Sequence, residues 1–181
     1  MGPGAHMQWL LGFHPHPDER PCLFLVGLES QAMLMPVLNA AECEQKTDVP
    51  FHTWSDADGP VAALAAAIAD VNAEKATLVG LDETMRADFA FHVLDAIPDA
   101  KRTYLTDTVG ALRMCKDENE FRLLKCAALI NDEVMKTAFA ALKPGVTERE
   151  IADVVKGAFT EHGCTTEFII CLLYTSPSPR D

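Results

Sequence analysis

The side chains able to carry chemistry are few and scattered along the chain. His14 and His16 stand two apart in a proline-rich stretch with Asp18 and Glu19, which brings together the donor types of a metal site. A catalytic metal usually takes three or more protein ligands, so a polar loop at a surface rim accounts for this pair better. His92 falls on the apolar face of an expected helix, a packing position. His162 stands in the last helical turn before Gly163, where a cation interacts well with the helix dipole. Asp82, Glu83 and Asp88 read as cap and first-turn acids rather than as a catalytic carboxylate pair. The six cysteines, Cys22, Cys43, Cys115, Cys126, Cys164 and Cys171, form no C-x-x-C pair and no cluster, and read as reduced thiols packed as small hydrophobes. The sequence contains no Walker loop, G-x-G-x-x-G, H-E-x-x-H or G-x-S-x-G motif.

The elements that would position these residues fall into two grammars. Up to about Asp107, short apolar runs alternate with amphipathic stretches. Gln8 to Phe13, Cys22 to Leu28, Ala32 to Val37, Phe51 to Trp54, Ala76 to Leu81 and Thr103 to Leu105 read as strands. The polar link Glu29-Ser30-Gln31 is short enough for a hairpin, and the run from Ala76 reads as a buried strand. Helices are expected over Ala40 to Lys46, Val61 to Val71 and Asp82 to Ile97, the last stopped by Pro98. Strands interleaved with covering helices give an α/β domain with a mixed sheet.

After Thr108 the pattern is helical. Asp117 and Glu120 form a D-x-x-E capping box, followed by the stripe Phe121, Leu124, Ala128, Met135, Phe139 and Leu142. Pro144-Gly145 ends that helix, and Thr147 with Glu150 caps a second one running to Gly163. A strand is expected to start within Thr165 to Ile170.

The chain has 181 residues, with 15 Lys plus Arg against 27 Asp plus Glu and a formal charge of −12. That balance argues against nucleic acid, which needs a clustered basic face. No run of about 18 apolar residues suggests a membrane span, and no signal peptide opens the chain, so a cytoplasmic address is expected. Residues 171–181 break with everything before them. They resemble the conceptual translation of a transposon-type sequencing adapter and are expected to be a non-native tail.

Four stretches carry a family resemblance. Trp9-Leu10-Leu11-Gly12-Phe13 is similar to the "YLTGF" strand of the creatinase/prolidase/aminopeptidase P amino-terminal domain, and Val79-Gly80-Leu81-Asp82 to its "IGVD" strand. Leu112 to Glu120 resembles the junction into the catalytic domain, and Leu142 to Ile151 resembles the "LKPGxTExEI" turn between that domain's first helices. Leu11, Trp9 and Cys115 depart from the family pattern at packing positions.

The resemblance implies a creatinase-like α/β domain with a mixed sheet over residues 1–107, missing its first strand and helix. A linker would follow over 108–116, then the first helices of an α+β pita-bread domain over 117–170. It further implies a metallopeptidase cleaving the bond before proline in short peptides, with two divalent ions, Mn, Co or Zn, in the full-length parent. Their ligands (two Asp, one His and two Glu) come in the family after the strand near Phe168. No catalytic or metal residue is therefore expected here, no metal is expected to bind this fragment, and it is expected to be inactive. Both losses are expected to leave apolar faces open and the polypeptide associated or loosely packed.

The parent is expected to be a homodimer. In dimeric relatives this domain reaches over the partner's active site, and the loop with His14, His16 and Arg20 is the candidate for that contact. Arg20 there faces two readings, a substrate carboxylate or, favoured, a structural salt bridge. Alternatives are another pita-bread hydrolase of creatinase or ectoine-hydrolase type, or a non-catalytic pita-bread binding protein.

Overall fold

A computed structural model describes residues 1–166. It divides into two compact units, Met1–Cys115 and one beginning at Lys116. The first unit has the α/β character expected, with strands β1 (Leu23–Val26), β2 (Gln31–Pro36), β3 (Phe51–Trp54), β4 (Leu78–Leu81) and β5 (Lys101–Tyr104). Its helices are α1 (Ala5–Leu11), α2 (Val37–Cys43), α3 (Val61–Asp70), α4 (Ala87–Ala96) and α5 (Val109–Met114). Residues 108–116, expected as a linker, thus hold a helix that follows a single 3-10 turn at Leu105–Asp107.

β1 and β2 form the expected hairpin, antiparallel with Leu23 opposite Leu34 and Val26 opposite Gln31. β2 pairs parallel with β3, so this three-stranded sheet is mixed. β4 and β5 form a separate parallel pair. Strand alternation sends neighbouring residues to opposite faces, and both faces of the hairpin are covered. Leu23, Leu34 and Trp54 pack with Leu64 and Ile68 of α3 and Phe89, Val93 and Ile97 of α4. Phe24, Met33 and Met35 pack on the other side with Met7 of α1 and Ala40 and Cys43 of α2. The buried Trp54 indole donates to the Pro21 carbonyl at 2.9 Å, which satisfies its one polar atom.

Four expectations change in the first unit, one of them α2, which spans Val37–Cys43 rather than Ala40 to Lys46. Gln8 to Phe13 is not a strand: Ala5–Leu11 is helical and stops at Gly12, whose N–H makes the last helical bond to the Gln8 carbonyl and whose left-handed φ of 78° turns the chain out of the helix. The segment Ala-His-Met-Gln-Trp-Leu-Leu has no β-branched residue and several strong helix formers, so without a partner strand the local bond is the helical one. β4 is not buried, and Leu78 is 58% exposed. α4 begins at Ala87 rather than Asp82, because the Asp82 carboxylate instead accepts from the Thr84 N–H and hydroxyl at 2.9 and 2.7 Å, folding residues 82–84 into a turn.

The second unit is built from α6 (Glu118–Ala141) and α7 (Glu148–Glu161). Both expected capping boxes form: Glu120 N–H donates to Asp117 at 2.8 Å, and Thr147 N–H donates to Glu150 at 2.8 Å. The expected α6 stripe forms an open apolar face, with Phe121, Leu124, Met135, Phe139 and Leu142 exposed. α7 is ten residues shorter than α6 and covers only its later turns, through Ile130, Val134, Ala138 and Ala141 against Ile151, Val155 and Ala158. The strand expected within Thr165 to Ile170, and the tail from Cys171, lie outside the described residues apart from Thr165 and Thr166, which are in no element.

Candidate functional site

The loop joining α1 to β1 places the sequence's first candidates. It leaves the left-handed Gly12, and the Phe13 ring lies 5.7 Å from the Lys46 ammonium. Pro15 is buried and anchors the middle, while His14 and His16 on either side of it are exposed. His14 Nδ1 lies 2.8 Å from the Pro15 carbonyl; donation there leaves Nε2 as the free acceptor facing solvent. Asp18 accepts from the Arg20 N–H at 2.8 Å, an Asx turn that fixes the direction of the Arg20 side chain.

Arg20 is the mechanical centre of the loop. Its Nε and Nη2 reach the two carboxylate oxygens of Asp56 at 3.0 and 2.9 Å, and its Nη1 reaches Glu19 at 3.2 Å. The planar guanidinium matches the carboxylate fork-to-fork. The Asp56 hydrogen bond holds the Arg20 guanidinium above its ordinary pKa and in return holds Asp56 below the usual carboxylate range. Asp56 lies in the turn between β3 and α3, so the pair ties the loop to the far end of β3. The arrangement presents two exposed imidazoles on a backbone fixed by an ion pair.

A second cluster was not legible in the sequence. His6 and Asp82 are both buried, and with Glu83 they are the one grouping of three metal-donor side chains among the described residues. Its geometry does not suit a cation. Arg113 Nη1 lies 3.1 Å from His6 Nδ1, and since a guanidinium only donates, Nδ1 must accept. His6 Nε2 then carries the proton, directed at Glu83 Oε1 3.5 Å away. A ligating imidazole needs the reverse, a bare nitrogen toward the metal and N–H toward an acceptor. Glu83 also accepts from the Thr106 hydroxyl at 3.0 Å. Its carboxyl is held below its ordinary value by a backbone hydrogen bond first, and by Thr106 and His6 after it. The His6–Glu83–Arg113 chain ties α1, the turn before α4 and α5 together. No sequence signal joins residues so far apart, and His6 sits in a helix that runs on into Gln8 to Phe13, the segment expected as a strand.

Comparison with known proteins fits this architecture. The creatinase/prolidase N-terminal domain family matches residues 2–115, the whole of the first unit bar one residue. The chain belongs to this family. Metallopeptidase family M24 matches residues 122–177, six residues further on. The probable dipeptidase PepE of Mycobacterium tuberculosis is 28% identical over 174 residues, covering 93% of this chain and 45% of that protein. The putative dipeptidase YkvY of Bacillus subtilis is 26% identical over 145 residues, covering 79% of this chain and 40% of that protein. Among solved structures, the prolidase from Thermococcus sibiricus superposes with a TM-score of 0.79 at 24% identity, over 89% of this chain and 44% of that one. The dipeptidase from Pyrococcus horikoshii gives 0.75 at 25% identity over the same shares.

This member of the creatinase/prolidase family thus spans less than half the length of these four relatives. The M24 metallopeptidases are metal-dependent enzymes. The described residues do not fit a two-ion centre: their one donor cluster has a single histidine, and an arginine stands against that histidine. No helix among the described residues is long and apolar enough to cross a membrane.

Proposed function

We propose that this chain is part of a metal-dependent peptidase of the prolidase type, a homodimer that hydrolyses the bond before proline in short peptides. Residues 1–115 supply its amino-terminal domain and α6 and α7 the first helices of its catalytic domain. The observation that supports this is the order of the two family matches along one chain, the first ending at Cys115, where the fold itself divides, and the second beginning at Arg122. Dipeptidases among the relatives support a peptidase over other pita-bread hydrolases.

The reacting groups and the two divalent ions, Mn, Co or Zn, belong in this reading to polypeptide other than residues 1–166. The role of the described part is to position. The loop bearing His14, His16 and Arg20 is the candidate rim contact to the partner's substrate. Arg20 is engaged by Asp56, so the two exposed histidines are left as its outward-facing polar groups.

Two measurements test the reading. The purified 181-residue chain should show no turnover of Xaa-Pro dipeptides with Mn, Co or Zn added, and metal-dependent hydrolysis would overturn the placement of the reacting groups. Reading the source DNA across the codon for Ile170 should give a frame that continues into a series of two Asp, one His and two Glu. A continuing frame without those ligands would overturn the enzyme reading in favour of a binding protein.

A further inference from the structure

The α1–α2 side of the hairpin gathers sulfur. Met7 of α1, Cys22, Met33 and Met35 of the hairpin, and Cys43 of α2 share one core, each 4% exposed or less. Strand geometry brings the hairpin members together. Phe24 stands opposite Met33 in the β1–β2 register, so one further step sets Cys22 opposite Met35. Alternation turns Cys22, Met33 and Met35 to one face, away from Leu23 and Leu34. α2 follows β2 directly, and its buried Ala40 and Cys43 close over that face. With thioethers counted as donors, this is a second grouping beside His6, Asp82 and Glu83.

Methionine often does no more than fill a core, but a thiol in contact with a thioether is also a pair of soft ligands. Cys22 Sγ lies 3.8 Å from Met35 Sδ. Two sulfur ligands on one ion, each at about 2.3 Å and roughly 110° apart, stand about 3.8 Å from each other. The pair already has the spacing of two ligands to one ion. We propose that Cys22 and Met35, with a third sulfur from among Met7, Met33 and Cys43, bind one soft monovalent cation of the copper(I) class.

Charge selects that class. Cys22 gives its proton to solvent as the bond from Sγ to the ion forms, and no electron moves. One thiolate cancels one positive charge and thioethers add none, so the loaded site is neutral within an apolar core of Phe24, Ala40 and Val49. Zn(II) takes thiolate, imidazole or carboxylate ligands and fills a structural site with four of them. The five sulfurs include only two thiols for it, Cys22 and Cys43.

The test uses the full chain with Cys115, Cys126, Cys164 and Cys171 changed to Ser, which leaves Cys22 and Cys43 as its thiols. Copper(I) held by bicinchoninate is titrated with this chain, and fading of the coloured complex reads the transfer. One equivalent should pass to the protein, and Cys22→Ala should abolish the transfer. Met35→Leu keeps the apolar volume and removes the thioether, so it should weaken transfer about tenfold or more. Both tryptophans, Trp9 and Trp54, lie in the first unit, so their emission follows its melting. Met35→Leu without metal should melt within about 6 °C of its parent, which separates lost binding from lost folding. Copper(I) should raise the melting temperature of the parent and Zn(II) should not. No transfer, or transfer that Met35→Leu leaves unchanged, would overturn the proposal. Stabilisation by Zn(II) equal to that by copper(I) would overturn the monovalent class.

Discussion

Gly27 follows β1 and bears the hairpin's contact with α3. A Cβ built there would lie 2.4 Å from the Val71 carbonyl oxygen and 3.1 Å from the Val71 Cβ. Real Cβ contacts essentially never fall under 3.0 Å, so Gly27→Ala requires an opening of about 0.6 Å between two backbones. The hairpin cannot move freely, because Gly27 N–H is tied to the Ser30 carbonyl at 2.8 Å and the Ser30 hydroxyl to the Asp70 carbonyl at 3.1 Å. Val71 is buried with Ala32 and Ala67 and has little room to retreat. Overpacking of this kind costs about 2 kcal/mol, which lowers the melting temperature of a unit this size by roughly 8 °C. Gly80→Ala is the matched control. Its Cβ would come closer than 3.0 Å only to Leu105 Cδ2, at 2.8 Å, the far end of a side chain rather than backbone, and it should cost less than half as much. Tryptophan emission during thermal unfolding reads both variants. A Gly27→Ala chain that melts with the parent, or above Gly80→Ala, would refute the reasoning.

Other outcomes follow from the same contacts. Arg20→Ala releases the His14–Arg20 loop from Asp56, so limited proteolysis should cut between Phe13 and Pro21 faster while the melting of the unit barely changes. Thr147→Ala removes the side chain that accepts the Glu150 N–H and should lower the stability of α7 by about 1 kcal/mol, seen as reduced helicity by circular dichroism. The Glu150 carboxyl is held below its ordinary 4.5 by the Thr147 N–H first and its hydroxyl next. Its contribution is therefore present above pH 4.5 and lost as the pH falls through the lowered value. Glu150→Gln should flatten that acid limb, and an unchanged limb would remove Glu150 as its cause. Burial pushes the Cys22 thiol up to about 12, so iodoacetamide at pH 8 should label the exposed Cys115 and Cys126 well before Cys22, by mass spectrometry of the digested chain.

The elements that the sequence determined by itself are those whose signal is local. Both capping boxes were readable because a cap and its partner lie three residues apart on one helix turn. β3 and the hairpin of β1 and β2 were readable because short apolar runs with a polar link leave one economical pairing. The family was readable from ordered motifs around Gly12, Val79, Leu112 and Pro144.

What tertiary structure alone decided is which surfaces find a partner. Ala5–Leu11 is apolar enough for either a strand or a helix. It became α1 because a strand needs a neighbour to satisfy its N–H and C=O groups, whereas a helix satisfies its own. The apolar stripe from Phe121 to Leu142 has the right period for burial, yet α7 reaches only the neighbouring face at Val134 and Ala138. Periodicity states which side chains prefer to leave water, and only the extent of the covering element determines which of them do. The pairing of Arg20 arises in the same way, since Asp56 is 36 residues away, and the chain's return through β2, α2 and β3 brings the two together.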